Sequence, residues 1–313
     1  MNLRDLGFFI RGRLNSGVSA VLNAAHPSPV SPLPLEAVLG LPRPTALDYV
    51  RLLEGRPNAS RQEVLGRLLA ARNIPFSRSP FRSFEGSGEN FVVEVGEGAR
   101  TLILVGHHDA VPGSPGANDD GSAVGILLDL YERLRQDPPG RLRVRLLFTG
   151  AEEIGYLGAR CYVKAAPLDD VVGVLSLELC GIGDSLVIWD AVPPVDRAPV
   201  LQAFASAAEG LGHRRDETYH LVGRIPMFGS DHRAFAVLGL PAFGLSVVPS
   251  SEAEALRQFI FHPLRSVFRQ LVRRPPPFHT YHTVRDRSFT LEPAALERVA
   301  TVLVALVRAL DAR

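Results

Sequence analysis

Apolar residues along this chain follow two periods. Short, mostly apolar runs occur at Thr101–Val105 (TLILV), Arg143–Phe148 (RVRLLF), Val171–Leu177 (VVGVLSL) and Pro241–Val248 (PAFGLSVV). Runs of this kind predict strands buried on both faces. Phe91–Val95 alternates loosely and predicts another strand, Leu186–Trp189 a short one. Between the strands the spacing becomes helical. Ala123, Val124, Ile126, Leu127, Leu130, Tyr131 and Leu134 share a face, so a helix starts near Gly121. Further helices are predicted over Ala46–Glu54, Arg61–Arg72, Ala198–Leu211 and Pro293–Leu310. Ser60 and Glu63 read as a capping box that opens the second of these. Strands alternating with helices predict an α/β fold of three layers, α/β/α, around a mostly parallel central sheet.

Two stretches stand apart from this pattern. Residues 1–42 read as a loop-like arm, because Pro27, Pro29, Pro32, Pro34 and Pro42 punctuate them. Residues 43–313 then form a single domain, with an insertion at 249–278. In that insertion Phe259, Phe261, Leu264, Phe268 and Leu271 form an apolar stripe, with Arg265, Arg269, Arg273 and Arg274 beside it. It is either an amphipathic helix packed on the body or a lid that sets substrate choice.

Composition narrows the classes. Of 313 residues, 46% are hydrophobic and 21% charged, which suits a globular domain with a sizeable core. The formal net charge of +1 gives no reason to expect nucleic acid or an anionic membrane as a partner. Cys161 and Cys180 are the only cysteines, too few for a disulfide framework or a thiolate zinc finger. The N-terminus faintly resembles a secretion signal, but Asn15, Ser16, Ser19 and Asn23 interrupt its apolar part. The expectation is a cytoplasmic protein, with secretion as the alternative; oligomeric state is open.

Chemistry gathers where the predicted strands end. TLILV runs into Gly106–Ser122, GHHDAVPGSPGANDDGS; RVRLLF runs into Thr149-Gly150-Ala151-Glu152-Glu153; VVGVLSL runs into Glu178. PAFGLSVV is followed, after the insertion, by His279-Thr280-Tyr281-His282. If the strands are parallel, these groups meet at one edge of the sheet, where open α/β sheets bind their ligands. Imidazole with carboxylate suits zinc, and an aspartate two residues after a histidine can orient its ring. Each motif alone equally describes a solvated polar loop.

Taken together, the order HxD, GANDDGS, TGAEE, an acidic residue after a strand, SDHRAF and YHT closely resembles the co-catalytic di-zinc aminopeptidase family. Glutaminyl cyclases and glutamate carboxypeptidases are relatives of that family, and the resemblance runs from about Phe91 to the C-terminus. It implies a zinc exopeptidase fold, a peptide substrate and two zinc ions per chain. Residue by residue, it implies that His107 and Glu178 bind one zinc, Glu153 and His282 the other, and that Asp119 bridges them. Glu152 is then the general base, Asp109 orients His107, and Tyr281 stabilises the oxyanion. Asn118, Ser230 and Asp231 support the site or its substrate pocket, while His108, His232, His262 and His279 are not ligands.

Glu178 departs from the pattern, which has aspartate there. Peptide-bond hydrolysis from the N-terminus is the expected activity. The alternatives are a glutaminyl cyclase, a carboxypeptidase or amidohydrolase, and a catalytically inert binding module of the same fold. The intact Asn118-Asp119-Asp120-Gly121 disfavours a cyclase of the resembling kind, which uses one zinc.

Overall fold

The computed structural model describes residues 3–226, 228–261 and 274–313. Its helices, in chain order, are α1 (Leu3–Ala24), α2 (Leu35–Leu39), α3 (Ala46–Leu53), α4 (Asn58–Ala71), α5 (Ser122–Leu134), α6 (Leu157–Ala165), α7 (Pro199–Gly210), α8 (His232–Ala236), α9 (Ala253–Phe261) and α10 (Pro293–Asp311). The strands are β1 (Ser77–Arg82), β2 (Ser87–Val95), β3 (Arg100–His107), β4 (Leu142–Thr149), β5 (Val171–Leu177), β6 (Ser185–Trp189), β7 (Tyr219–Leu221) and β8 (Ala242–Val248). They form one sheet in the order β1-β2-β4-β3-β5-β8-β6-β7. The central run β4-β3-β5-β8 is parallel throughout.

The continuous apolar runs are explained by a core on each face of the sheet. In β3, Leu102 and Leu104 join the larger core with α3, α4, α5, α7 and α10, while Ile103 and Val105 point into the smaller one beside α6 and α8. A strand covered on both sides cannot alternate polar with apolar residues, so its sequence stays apolar. The three-layer α/β/α expectation holds, and the predicted strands lie within about two residues of their expected bounds, except that β2 starts at Ser87, four residues before Phe91. The edge strands β1 and β7 were not anticipated: SRSPFR is mostly exposed, and YHL is too short to show a period.

The N-terminal arm needs correction. Residues 3–24 form a helix of more than five turns rather than a loop. Its amphipathicity is inverted: Asp5, Ser16, Ser19 and Asn23 are buried, whereas Ile10, Leu14, Val18, Val21 and Leu22 are exposed. Of the polar residues that break up its apolar pattern, Ser16, Ser19 and Asn23 face the protein, while Asn15 is exposed. The capping box at Ser60 is also corrected. The helix begins at Asn58 after Pro57, and no side chain caps it. Asn58 instead exchanges two hydrogen bonds with the backbone of Ala110, at 3.0 Å each. Of the predicted insertion, Leu264, Arg265, Phe268, Arg269, Leu271 and Arg273 lie outside the described residues. Among the described residues no helix is long and apolar enough to cross a membrane.

Arg61 of α4 ties the helical layer to the loop that follows β3. Its side chain is wholly buried and donates to the carbonyls of His108 (2.6 Å), Leu53 (3.3 Å), Pro115 (3.0 Å) and Gly116 (3.0 Å). Gly116 adopts φ +67°, and a Cβ there would lie 2.7 Å from the Arg61 guanidinium, so the turn leaves no room for a side chain. Four carbonyls in the interior depend on one side chain. Arg61→Leu should therefore cost about 3–5 kcal/mol of stability, as stranding buried polar partners does. Urea unfolding measures this, and a loss below about 1 kcal/mol would mean that the loop satisfies itself.

Candidate metal centre

The parallel strands deliver their last residues to one edge of the sheet. His107 ends β3, Glu152 and Glu153 follow the Thr149 end of β4 in a tight turn, and Glu178 follows β5. His282 arrives from the segment before α10, and Asp119 from the irregular turn Ala117–Gly121 that leads into α5. Three non-glycine residues at or beside these groups hold left-handed backbone: Ala151 (φ 58°), Leu179 (φ 55°) and His282 (φ 61°). Such backbone is disfavoured for L-residues, and here it occurs in the turns that carry the donor side chains.

Asp119 occupies the centre. One of its oxygens lies 3.3 Å from Nε2 of His107, the other 3.2 Å from Nε2 of His282. Glu153 is 3.1 Å from the same His282 nitrogen. Around His107 Nε2 stand Glu178 at 3.8 Å, and Asp120 and Glu152 at 4.0 Å. All of these residues are buried except His282, which is nearly so. Two donor groups, His107–Asp120–Glu178 and His107–Asp119–Glu153, each bring their ligand atoms within 4.8 Å of one another.

The surroundings fix these donors in place. The Asp109 carboxylate accepts the backbone N–H groups of Glu152 (3.0 Å) and Glu153 (3.1 Å), and its carbonyl lies 3.1 Å from Nδ1 of His107. One residue thus orients the imidazole and pins the two glutamates. Asp286 accepts from the N–H groups of Asn118 (2.7 Å) and Asp119 (3.1 Å). Asn118 accepts from the N–H of Gly181 (2.7 Å), which stitches the Asp119 turn to the loop behind Glu178. Ser230 pairs with Ser176 at 3.0 Å, and the Thr149 hydroxyl donates to Asp231. Tyr281 stacks on His282, ring centroids 3.7 Å apart, and packs edge-on against Phe228 and Phe278. His108 and His232 are engaged elsewhere, by the Glu89 carbonyl and by Asp190.

Electrostatically the cluster is short of positive charge. Burial pushes the carboxyl groups of Glu152 and Asp120 well above the usual range, and neighbouring carboxylates add to it while His107 opposes. Burial, with Asp119 next, raises Glu178 to about 8. Burial would lower His282, but Glu153 and Asp119 outweigh it and raise the imidazole to about 10. Nε2 of both histidines, one Asp120 oxygen and one Glu153 oxygen are buried without a hydrogen-bond partner among the described residues. Buried polar atoms left unpaired are costly, and a ring of carboxylates around imidazole nitrogens is a donor set for a divalent cation. The residues fit a metal.

The sequence reading placed His107, Asp109, Asp119, Glu152, Glu153, Glu178 and His282 in this cluster, and the structure brings them together. It missed Asp120, whose carboxylate accepts the His107 N–H at 3.2 Å, although Asp120 stood in the quoted motif. It also missed Arg61 and Asp286. An aspartate four residues after His282 was the one signal for Asp286, and nothing in sequence said it returns to Asn118.

Beside the cluster lies a cavity of about 930 Å³. Glu152, Glu153 and His282 line it, with α1 on one side (Val18, Leu22) and Phe228 and Phe278 on the other.

Comparison with known proteins agrees with this geometry. Residues 90–307 match the model of peptidase family M28. The probable lipoprotein aminopeptidase LpqL of Mycobacterium tuberculosis is 29% identical over 180 residues, covering 52% of this chain and 35% of that protein. BSAP, a zinc aminopeptidase from Bacillus subtilis, superposes with a TM-score of 0.55 at 21% identity, over 72% of this chain and 50% of that one. A glutaminyl cyclase of Porphyromonas gingivalis gives 0.63 at 16% identity, over 84% and 96%. At these identities the two solved structures attest the fold alone. The chain spans about a third of the mycobacterial relative's length.

Asp286 supplies two acceptor oxygens to two backbone donors, whereas an asparagine would turn an N–H₂ toward one of them. Asp286→Asn should loosen the Asp119 turn and weaken divalent cation binding about 10–100-fold, as loss of an outer partner does. Zinc titration by calorimetry reads this out, and unchanged affinity would show that the turn holds its shape without the carboxylate.

Proposed function

The chain belongs to peptidase family M28, and from that premise we propose that it is an aminopeptidase that binds two zinc ions and removes N-terminal residues from peptides. The observation that carries this reading is the Asp119 carboxylate, with an oxygen toward each histidine at 3.3 and 3.2 Å. A carboxylate so shared suits a bridge between two cations. His107 and Glu178 would hold one zinc, with Asp120 beside them, and Glu153 and His282 the other. Two carboxylates beyond the bridge offset part of the four positive charges, which explains why so many acids are buried together.

Zinc, when bound, polarises a carbonyl and makes water acidic near neutral pH. The remaining work falls to the chain. Glu152 sits among the donors, its carboxylate 4.0 Å from Nε2 of His107 and its N–H held by Asp109. On this reading Glu152 takes the proton of the attacking water and returns it to the leaving amine. Asp109 positions His107 from behind. Burial and the surrounding carboxylates raise the Tyr281 hydroxyl well above its usual value. It therefore stays protonated and can donate to the developing oxyanion. Glu178, longer than the aspartate of the resembling family, reaches to 3.8 Å of His107.

The two adjacent glutamates separate the roles. Glu152→Gln should retain zinc but lose about 10²–10⁴-fold in kcat, because an amide cannot take the proton. Glu153→Gln should lose zinc. Metal analysis and hydrolysis of amino-acid anilides on both variants decide it. A Glu152→Gln protein with near-normal kcat would sink the assignment of the base.

Removing zinc with a chelator should abolish anilide hydrolysis in the wild type, and adding zinc should restore it. If the metal-loaded protein cyclises N-terminal glutaminyl peptides and leaves anilides intact, the aminopeptidase reading is wrong.

A further inference from the structure

Helix α1 lies outside residues 90–307, yet its buried face is polar and directed at the metal centre. Ser16 donates to the Glu153 carbonyl at 3.1 Å. The Ser19 hydroxyl lies 3.5 Å from Nδ1 of His282. The Asn23 amide donates to the carbonyls of His282 (3.2 Å) and Pro112 (3.0 Å), joining the loop after β3 to the segment that carries His282. Resting on the two-zinc reading above, we propose that α1 completes one of the two metal sites. Ser16, Ser19 and Asn23 are positioning residues that hold Glu153 and His282 in place for their shared cation.

Three features support this. Burying hydroxyl and amide groups is costly unless they are used, and these are used on the two residues assigned to the same zinc. His282 holds a left-handed backbone that disfavours an L-residue, and Asn23 grips its carbonyl from outside the loop. The helix also seats on the glutamate turn backbone to backbone. A Cβ on Gly12 would come within 2.4 Å of the Gly155 nitrogen, and one on Gly155 (φ +95°) within 2.4 Å of the Phe8 carbonyl. His107 is held differently, by Asp109 within its own loop. Loosening α1 should therefore act on one site and spare the other.

The test is zinc binding to the full chain in competition with a chromophoric chelator, which resolves two constants. In Ser19→Ala/Asn23→Ala one zinc should bind about 10–100-fold more weakly and the other unchanged. Val21→Ala, on the exposed face of the same helix, should leave both constants as in the wild type. If the double variant does not fold, Ser16→Ala, which removes the hydroxyl that donates to the Glu153 carbonyl, should show the same one-sided loss. Two wild-type equivalents with both constants unchanged in the variants, or equally weakened, overturn the role of α1 alone. A single equivalent in the wild type overturns the two-zinc reading and this inference with it.

Discussion

A crowd of buried carboxylates at the carboxyl edge of the sheet is the constraint on which the rest depends. Asp109, Asp119, Asp120, Glu152, Glu153, Glu178 and Asp231 all lie in the interior within a few side chains of one another. Among the described residues His107, His282 and Arg61 are the groups that offset them at close range. Like charges out of water repel strongly, so such a cluster is tolerable only with cations or with protons held on several of its members. The raised Glu152, Asp120 and Glu178 express that shortage. Divalent cations would relieve it, and metal binding would then contribute to stability as well as to chemistry.

The surrounding architecture keeps that cluster rigid. Every loop that contributes a donor is tied by a buried hydrogen bond to another loop or to a helix behind it. Arg61 binds the loop after β3, Asp286 the Asp119 turn, Asp109 the glutamate turn, and Asn118 the loop after β5. None of these four residues belongs to the proposed base-and-ligand set. They set its geometry, and a displacement of about 1 Å is enough to matter at such a site. Helix α1 extends the same logic to an element far upstream, which presses its polar face on the donors and forms part of the cavity wall.

Much of this was legible in the residues themselves. The α/β/α layers follow from apolar runs alternating with 3.6-residue periodicity, since a strand covered on both faces must be apolar and a covering helix apolar on one. The convergence of His107, Glu152, Glu153 and Glu178 follows from their places at strand ends, because parallel neighbours bring those ends to a common edge. Those arguments are local, or depend on one rule of topology.

What tertiary structure alone decided is how distant polar groups pair. Helix α1 fell within a stretch read as a loop-like arm because prolines punctuate its second half. Only the fold shows that Ser16, Ser19 and Asn23 face inward onto Glu153 and His282 while Val21 and Leu14 face out. Arg61, lost among the many arginines of the sequence, looks like any helix-surface residue until four carbonyls are found around it. Asp286 carries only its spacing from His282, and nothing local says that it returns to Asn118. Hydrophobic burial has a period along the chain and can be read from it, whereas a hydrogen bond or ion pair between residues scores or hundreds of positions apart leaves no period at all.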